Sequence, residues 1–130
     1  MIVVDTHVLI YDALEPRRLS RRAREALAQG TRDGALCCSD ISLWEIAMLI
    51  AKGRIDAGRD AVLFMEATIQ SRSVRVLPIT PEIASLAQSP EFRHGDPADR
   101  IIAATALAQR APLVSADPRL RKLRSVKVLW

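Results

Sequence analysis

Aromatic residues are scarce in this chain: two Trp, one Tyr and two Phe, 4% of 130 residues. That is too few for the stacking platforms on which single-strand binders lay successive bases. Long apolar runs are also missing, and no stretch approaches the ~20 residues that span a bilayer. The apolar start of the chain is short, lacks a basic region before it and carries Asp5 in its middle, unlike a secretory leader. These absences lead to the expectation of a soluble protein of the cytoplasm. The two cysteines, Cys37 and Cys38, are adjacent within an apolar run, which suits buried packing and not a disulfide framework or a metal site. No repeat, linker or low-complexity tract divides the chain. Its composition, 49% hydrophobic and 26% charged, is that of one folded unit, so residues 1–130 are expected to form a single domain.

Lysine is rare as well: of 19 basic residues only Lys52, Lys122 and Lys127 are lysines. Arginine favours forked contacts to phosphate, and a net charge of +4 permits binding to a polyanion without requiring it. Arg17, Arg18, Arg21, Arg22 and Arg24 form one basic cluster, and Arg119, Arg121, Lys122, Arg124 and Lys127 another. Clusters of this kind are commonly solvated helix faces.

Strand and helix signals alternate along what is there. Ile2, Val3 and Val4 are β-branched with no polar alternation, the pattern of a strand buried on both faces. Further strands are expected at residues 35–38, 74–79, 112–116 and 126–129, and helices at 8–14, 19–29, 40–52, 61–72, 81–88 and 97–110. Gly30 reads as the stop of the second helix, Ser39 as the cap of the third and Gly53 as its end; residues 94–96 read as a loop. Such alternation specifies an α/β domain of three layers, α/β/α, with a five-stranded parallel sheet in the middle.

The acids can then be placed. Asp5 is the first polar residue after the first strand, and in open parallel sheets ligands sit outside the carboxyl ends of the strands. A plain cap of the following turn, shared with Thr6, is the alternative. Asp117 follows the fourth strand in the same way. Glu45 is the sole charged residue between Asp40 and Lys52 and shares a helical face with Ile41, Met48 and Leu49. Burying a carboxylate is unfavourable unless something pairs it; a metal ion or a distant arginine would. In the same helix Trp44, Leu49 and Ile50 are assigned to the core, with a partner surface as the alternative.

Asp96 before Pro97 has the form of an N-cap followed by proline at the first helical position, and Asp99 sits where the helix dipole favours negative charge. Capping would account for both acids. It does not account for Asp99 opening a helix whose residues 101–108 are almost all small and apolar. Packing those alanines on the sheet draws the helix start towards the strand ends, where Asp99 would meet Asp5.

In this order, Asp5-Thr6-His7-Val8-Leu9-Ile10, Ser42-Leu43-Trp44-Glu45-Ile46, the segment from His94 to Ala106 and Leu113-Val114-Ser115-Ala116-Asp117 resemble the PIN domain over nearly the whole chain. The likeness is in particular to the VapC-type toxins of bacterial toxin–antitoxin pairs. The resemblance implies a five-stranded parallel sheet and an acidic pocket that binds Mg²⁺ or Mn²⁺ and cleaves RNA. By position it implies Asp5, Glu45, Asp99 and Asp117 as the catalytic and metal-ligating set, with Asp96 near the pocket. It further implies a small VapB-type antitoxin that wraps the domain, covers the pocket and offers an arginine to the carboxylates, and a homodimer paired through helices. The aromatic usual inside the Asp-Pro-x-Asp-Arg motif is Ala98 here, and Asp117 before Pro118 also suits a plain N-cap.

The residues themselves agree with that chemistry. Hard oxygen ligands suit Mg²⁺ or Mn²⁺, and magnesium keeps several waters beside a few carboxylates. One ion can activate a water for attack on phosphorus, and a second can stabilise the leaving oxygen. No histidine is needed as base, so His7 and His94 are read as structural. Thr6 and Ser115 are candidates for holding a metal-bound water or a phosphate, or for forming turns. Arg100, beside Asp99, is a candidate for holding a phosphate or another carboxylate. An aspartyl-nucleophile phosphatase would need a second Asp where His7 stands. A non-catalytic PIN-like module for nucleic acid or protein would keep the sheet and lose the acids, yet every acid position is filled.

Overall fold

The computed structural model describes residues 1–92 and 95–130. Its organising element is β1 (Ile2–Val4), in which Val3 and Val4 are fully buried. Parallel strands flank it on both sides: β2 (Leu36–Ser39) and then β3 (Arg75–Leu77) on one, β4 (Leu113–Val114) and then β5 (Val128–Leu129) on the other. The order β3-β2-β1-β4-β5 puts the first strand of the chain at the centre. Val3 pairs with Cys37 on one side and Leu113 on the other. The chain winds outward from β1 to β3, then returns to lay β4 on the opposite side of β1. In open parallel sheets the crevice at such a reversal is where ligands bind.

Seven helices accompany the sheet among the described residues: α1 (Thr6–Leu14), α2 (Arg21–Asp33), α3 (Ile41–Ala51), α4 (Ala61–Ser71), α5 (Pro81–Leu86), α6 (Pro97–Ala108) and α7 (Pro118–Arg121). Alternation along β1 sends Val4 to one face, where it packs with Val8, Leu9 and Leu27 of α1 and α2. Val3 faces the other, with Ile83 of α5 and Ile102, Ala103 and Ala106 of α6. The result is the expected three-layer arrangement. A third cluster, Ile10, Ile46, Leu49 and Phe64, joins α1, α3 and α4. Arg72 clamps the end of α4 to α1 through a forked pair with Asp12, at 2.6 and 2.8 Å. Cys37 and Cys38 are buried and unbridged, and burial pushes the Cys38 thiol up to about 12.

Several expectations are corrected. α2 does not stop at Gly30; it runs on to Gly34, whose φ of 61° supplies the left-handed cap. Gly30 is needed for close approach instead: a Cβ there would lie 2.3 Å from Leu36 Cδ2. α1 begins at Thr6, directly after the strand. Asp40 holds the N-cap position of α3, although Ser39 Oγ still accepts the Ile41 N–H at 3.2 Å. Trp44 is not core. It is 61% exposed, because α3 turns Ser42, Glu45, Ile46 and Leu49 inward. β4 and β5 are only two residues each. The expected loop at 94–96 begins at His94, which lies outside the described residues.

Candidate acidic site at the strand ends

Asp5 follows β1 and is 3% exposed. It holds the N-cap position of α1 with extended backbone, yet its side chain makes no capping hydrogen bond, so a cap does not account for it. Instead Ser115 Oγ donates to Asp5 Oδ2 at 2.7 Å, bridging the ends of β4 and β1 at the point of reversal. Asp5 Oδ1 is buried and has no hydrogen-bond partner among the described residues. A buried oxygen left in that state is unfavourable and calls for a partner. Burial pushes the Asp5 pKa above its ordinary value, against the opposing influence of Ser115 and His7. Ser115 also serves the turn, since its Oγ accepts the Asp117 N–H at 3.1 Å.

Glu45 is buried on the inner face of α3. Among the described residues no cation is ion-paired with it. Its partner is Thr6, whose Oγ1 donates to Oε1 at 2.5 Å and also lies 2.9 Å from Ser42 Oγ. Thr6 and Ser42 are themselves fully buried. Burial raises the Glu45 pKa; the Thr6 bond opposes this, while the Asp5 and Asp96 charges reinforce it. Ser42 was legible in principle, being a small polar residue three positions before Glu45 on the same helical face.

Asp96 caps α6 as its sequence suggests, accepting the Asp99 N–H at 2.9 Å. Asp99, in the first turn, is buried under the helix start. Its carboxyl is pushed up to about 8, by burial first and then by the charges of Asp96, Asp5, Asp117 and Glu45. Such mutual repulsion marks acids that face one space. Asp5 is among the charges that raise the Asp99 pKa, while no hydrogen bond joins the two carboxyls among the described residues. The guanidinium beside the carboxylates belongs to the chain itself: Arg119 Nη2 lies 3.1 Å from both Asp99 Oδ2 and Asp117 Oδ2. Its side chain is 58% exposed, so water screens the pair and the repulsion prevails. Asp117 caps α7, accepting the Arg119 N–H at 2.8 Å. Burial raises its pKa, but the hydrogen bonds and charge of Arg119 win and hold it below the usual range.

The sequence places Arg119 in a basic cluster of a kind that is commonly a solvated helix face, and only its spacing two residues after a capping Asp hints otherwise. Arg100 is half-buried and pairs with no carboxylate among the described residues. His7 is exposed.

Among the described residues no three acidic side chains converge, as they stand, on a position for one ion. The site does offer hard oxygen donors, one of them orphaned, and a repulsion that a cation would relieve. Mg²⁺ fits such a set, because it takes one or two carboxylates directly and keeps waters for the rest.

Comparison with known proteins adds to this geometry. The chain is 35% identical over 124 residues to Ribonuclease VapC22 of Mycobacterium tuberculosis, spanning 95% of this chain and 92% of that one. In fold it is similar to a chain of VapBC2 from Rickettsia felis, solved bound to a DNA fragment from its promoter, with a TM-score of 0.73, 15% identity and coverage of 98% and 97%. It is likewise similar to a chain of a toxin-antitoxin complex from Klebsiella pneumoniae, with a TM-score of 0.61, 22% identity and coverage of 97% and 95%. The family model for the PIN domain matches residues 2–126, and the chain belongs to that family.

Proposed function

We propose that this chain is a metal-dependent ribonuclease, the toxin of a toxin–antitoxin pair, which cleaves RNA phosphodiester bonds with Asp5, Glu45, Asp99 and Asp117. The observation that carries the reading is Asp5, buried at the reversal point of the sheet with one oxygen held by Ser115 and the other without a hydrogen-bond partner among the described residues. The 35% identity to a protein named a ribonuclease, along 95% of the chain, supports RNA as substrate.

Asp5, Glu45 and Asp99 would hold Mg²⁺ or Mn²⁺, joined by Asp117 where Arg119 releases it. A bound ion of this kind supplies Lewis acidity towards the phosphate and lowers the pKa of a water. Ser115 orients Asp5, and Thr6 orients Glu45, since both hydroxyls already donate to carboxylates. Asp96 acts through the backbone of Asp99 as the helix cap. Burial and the neighbouring carboxylates favour the protonated form of Asp99 near neutral pH, and a bound cation would favour its carboxylate.

Residues 1–130 act as one PIN-like unit in the cytoplasm. No described helix is long and apolar enough to cross a membrane. A VapB-type antitoxin covers the acidic crevice, and the chain pairs as a homodimer. Trp44, Val62 and Leu63, exposed on α3 and α4, offer apolar surface to protein partners. A chain of similar fold was solved in a toxin-antitoxin complex. The test is cleavage of synthetic RNA by purified protein with Mg²⁺ or Mn²⁺, in EDTA, and with Asp5→Asn. Activity should need the metal and fall by orders of magnitude in the variant. Cleavage undiminished in excess EDTA rejects the metal mechanism.

A further inference from the structure

Next to the acid cluster lies a cavity of about 690 Å³, bordered by α6, α7 and the segment leading into β5. That volume is in the range of pockets that enclose small organic ligands. Its inner wall is apolar: Phe92, Ala103 and Leu120 are buried, and Leu123 is half-buried beside them. Its outer side is cationic. Arg119, Lys122 and Arg124 are exposed there, and Arg100 is half-buried. Lys122 and Arg124 make no ion pair among the described residues. Asp99 and Arg119 belong to the cavity and to the acid cluster alike, so an occupant would lie against the carboxylates.

The far wall is built in advance. Glu91 accepts hydrogen bonds from the backbone N–H groups of Arg124 and Ser125, at 2.9 and 3.1 Å, and from the Ser125 hydroxyl at 2.8 Å. These bonds span more than thirty residues of sequence and hold the Arg124 backbone in place, while its guanidinium, attracted by the Glu91 charge, makes no ion pair among the described residues. An apolar chamber rimmed by cations and adjoining a carboxylate cluster matches a flat heterocycle inside and phosphates outside.

We infer that this cavity receives one unpaired nucleobase of the RNA strand beside the bond that is cut, with Lys122 and Arg124 on the flanking phosphates. The inference rests on the ribonuclease reading above and adds the subsite that selects single-stranded substrate. A paired base is stacked in its duplex and cannot enter such a chamber without being unpaired and extruded. With few aromatic residues at hand, the base is held by apolar enclosure and not by a stacking ladder.

The test uses the Asp5→Asn protein, which should bind without cutting, and short labelled single-stranded RNAs in fluorescence anisotropy. Lys122→Glu with Arg124→Glu should weaken binding about ten-fold or more and make the log–log salt dependence shallower by about 1.4. Arg17→Glu with Arg24→Glu, in the other basic cluster, should change neither. An abasic spacer moved along the RNA should cost about ten-fold at one position near the cut, through the apolar burial lost there. That position-specific loss should vanish in Leu123→Arg, which blocks the chamber. A flat abasic scan overturns the inference with no need for a folded variant, as does duplex RNA binding as tightly as single strand. Lys122→Glu with Arg124→Glu weakening an antitoxin complex and not RNA binding assigns the cavity to a protein partner, and also overturns it. Cleavage with a flat scan leaves the ribonuclease reading standing alone. Position-specific binding with no cleavage by the unsubstituted protein in Mg²⁺ or Mn²⁺ does the reverse.

Discussion

Replacing Asp99 by Asn should stabilise the cation-free protein at neutral pH, although the residue is buried in the first turn of a helix. Burial and four neighbouring carboxylates carry its pKa from 3.8 to about 8. A folded-state pKa above the unfolded one means that the native state holds the proton more tightly. The associated stability is fully present below the unfolded value and is lost as pH rises through the folded one. Each pH unit in that window withdraws about 1.4 kcal/mol, so from about pH 4 to about pH 7 the native protein gives up roughly 4 kcal/mol that the Asn variant keeps. Any attraction of the Asp99 carboxylate to Arg119 or to the start of α6 is already contained in that folded-state pKa. The expectation is a variant more stable by roughly 3–4 kcal/mol at neutral pH and nearly equal to the native protein at about pH 4. Urea unfolding followed by circular dichroism, in EDTA across this pH range, measures it. Adding Mg²⁺ should then favour the native protein, by about 2.7 kcal/mol at a hundred times Kd, more than the variant. Parallel pH profiles, or a variant weaker at neutral pH, would mean that Asp99 serves as the ion-pair partner of Arg119 and not as one of a set of mutually repelling ligands.

Thr6→Val keeps the shape of the side chain and removes the donor to Glu45, so it should lower stability by about 1–3 kcal/mol and raise the Glu45 pKa further; urea unfolding and an NMR titration of Glu45 check both. Gly30→Ala should destabilise by about 1–3 kcal/mol, against the gain of about 1 kcal/mol that helix propensity alone would bring; thermal unfolding that shows a stabilised variant would remove the close contact with Leu36 from the account. Trp44→Gln should change stability by no more than about 0.5 kcal/mol while weakening association with a second copy or an antitoxin, read by analytical ultracentrifugation. A loss of several kcal/mol would return Trp44 to the core.

Local periodicity was enough to lay out most of the elements, because a buried strand and an amphipathic helix each declare themselves through neighbouring side chains. Ile2-Val3-Val4 followed by Asp5, the lone Glu45 in an apolar helix and Asp99 at the head of an alanine-rich one were visible for the same reason: a charge where burial is expected needs an explanation. What stayed hidden is what depends on distant residues meeting. Ser115 reaches Asp5 across 110 positions only because β4 returns to lie beside β1, and nothing about a serine after a strand says which carboxylate it will face. Arg119 looked like one of several surface arginines until the start of α6 came within reach of α7. Gly30 could have ended its helix or admitted Leu36, and glycine serves both purposes; only the packing of α2 on β2 decides. Trp44 has the spacing of a core residue, but burial depends on which face of α3 its neighbours cover, and they cover the face of Glu45. The chain by itself determines which side chains are unusual for their segment, a short-range property, whereas strand order and helix docking determine which of them become partners, since those contacts form only when the whole sheet closes around β1.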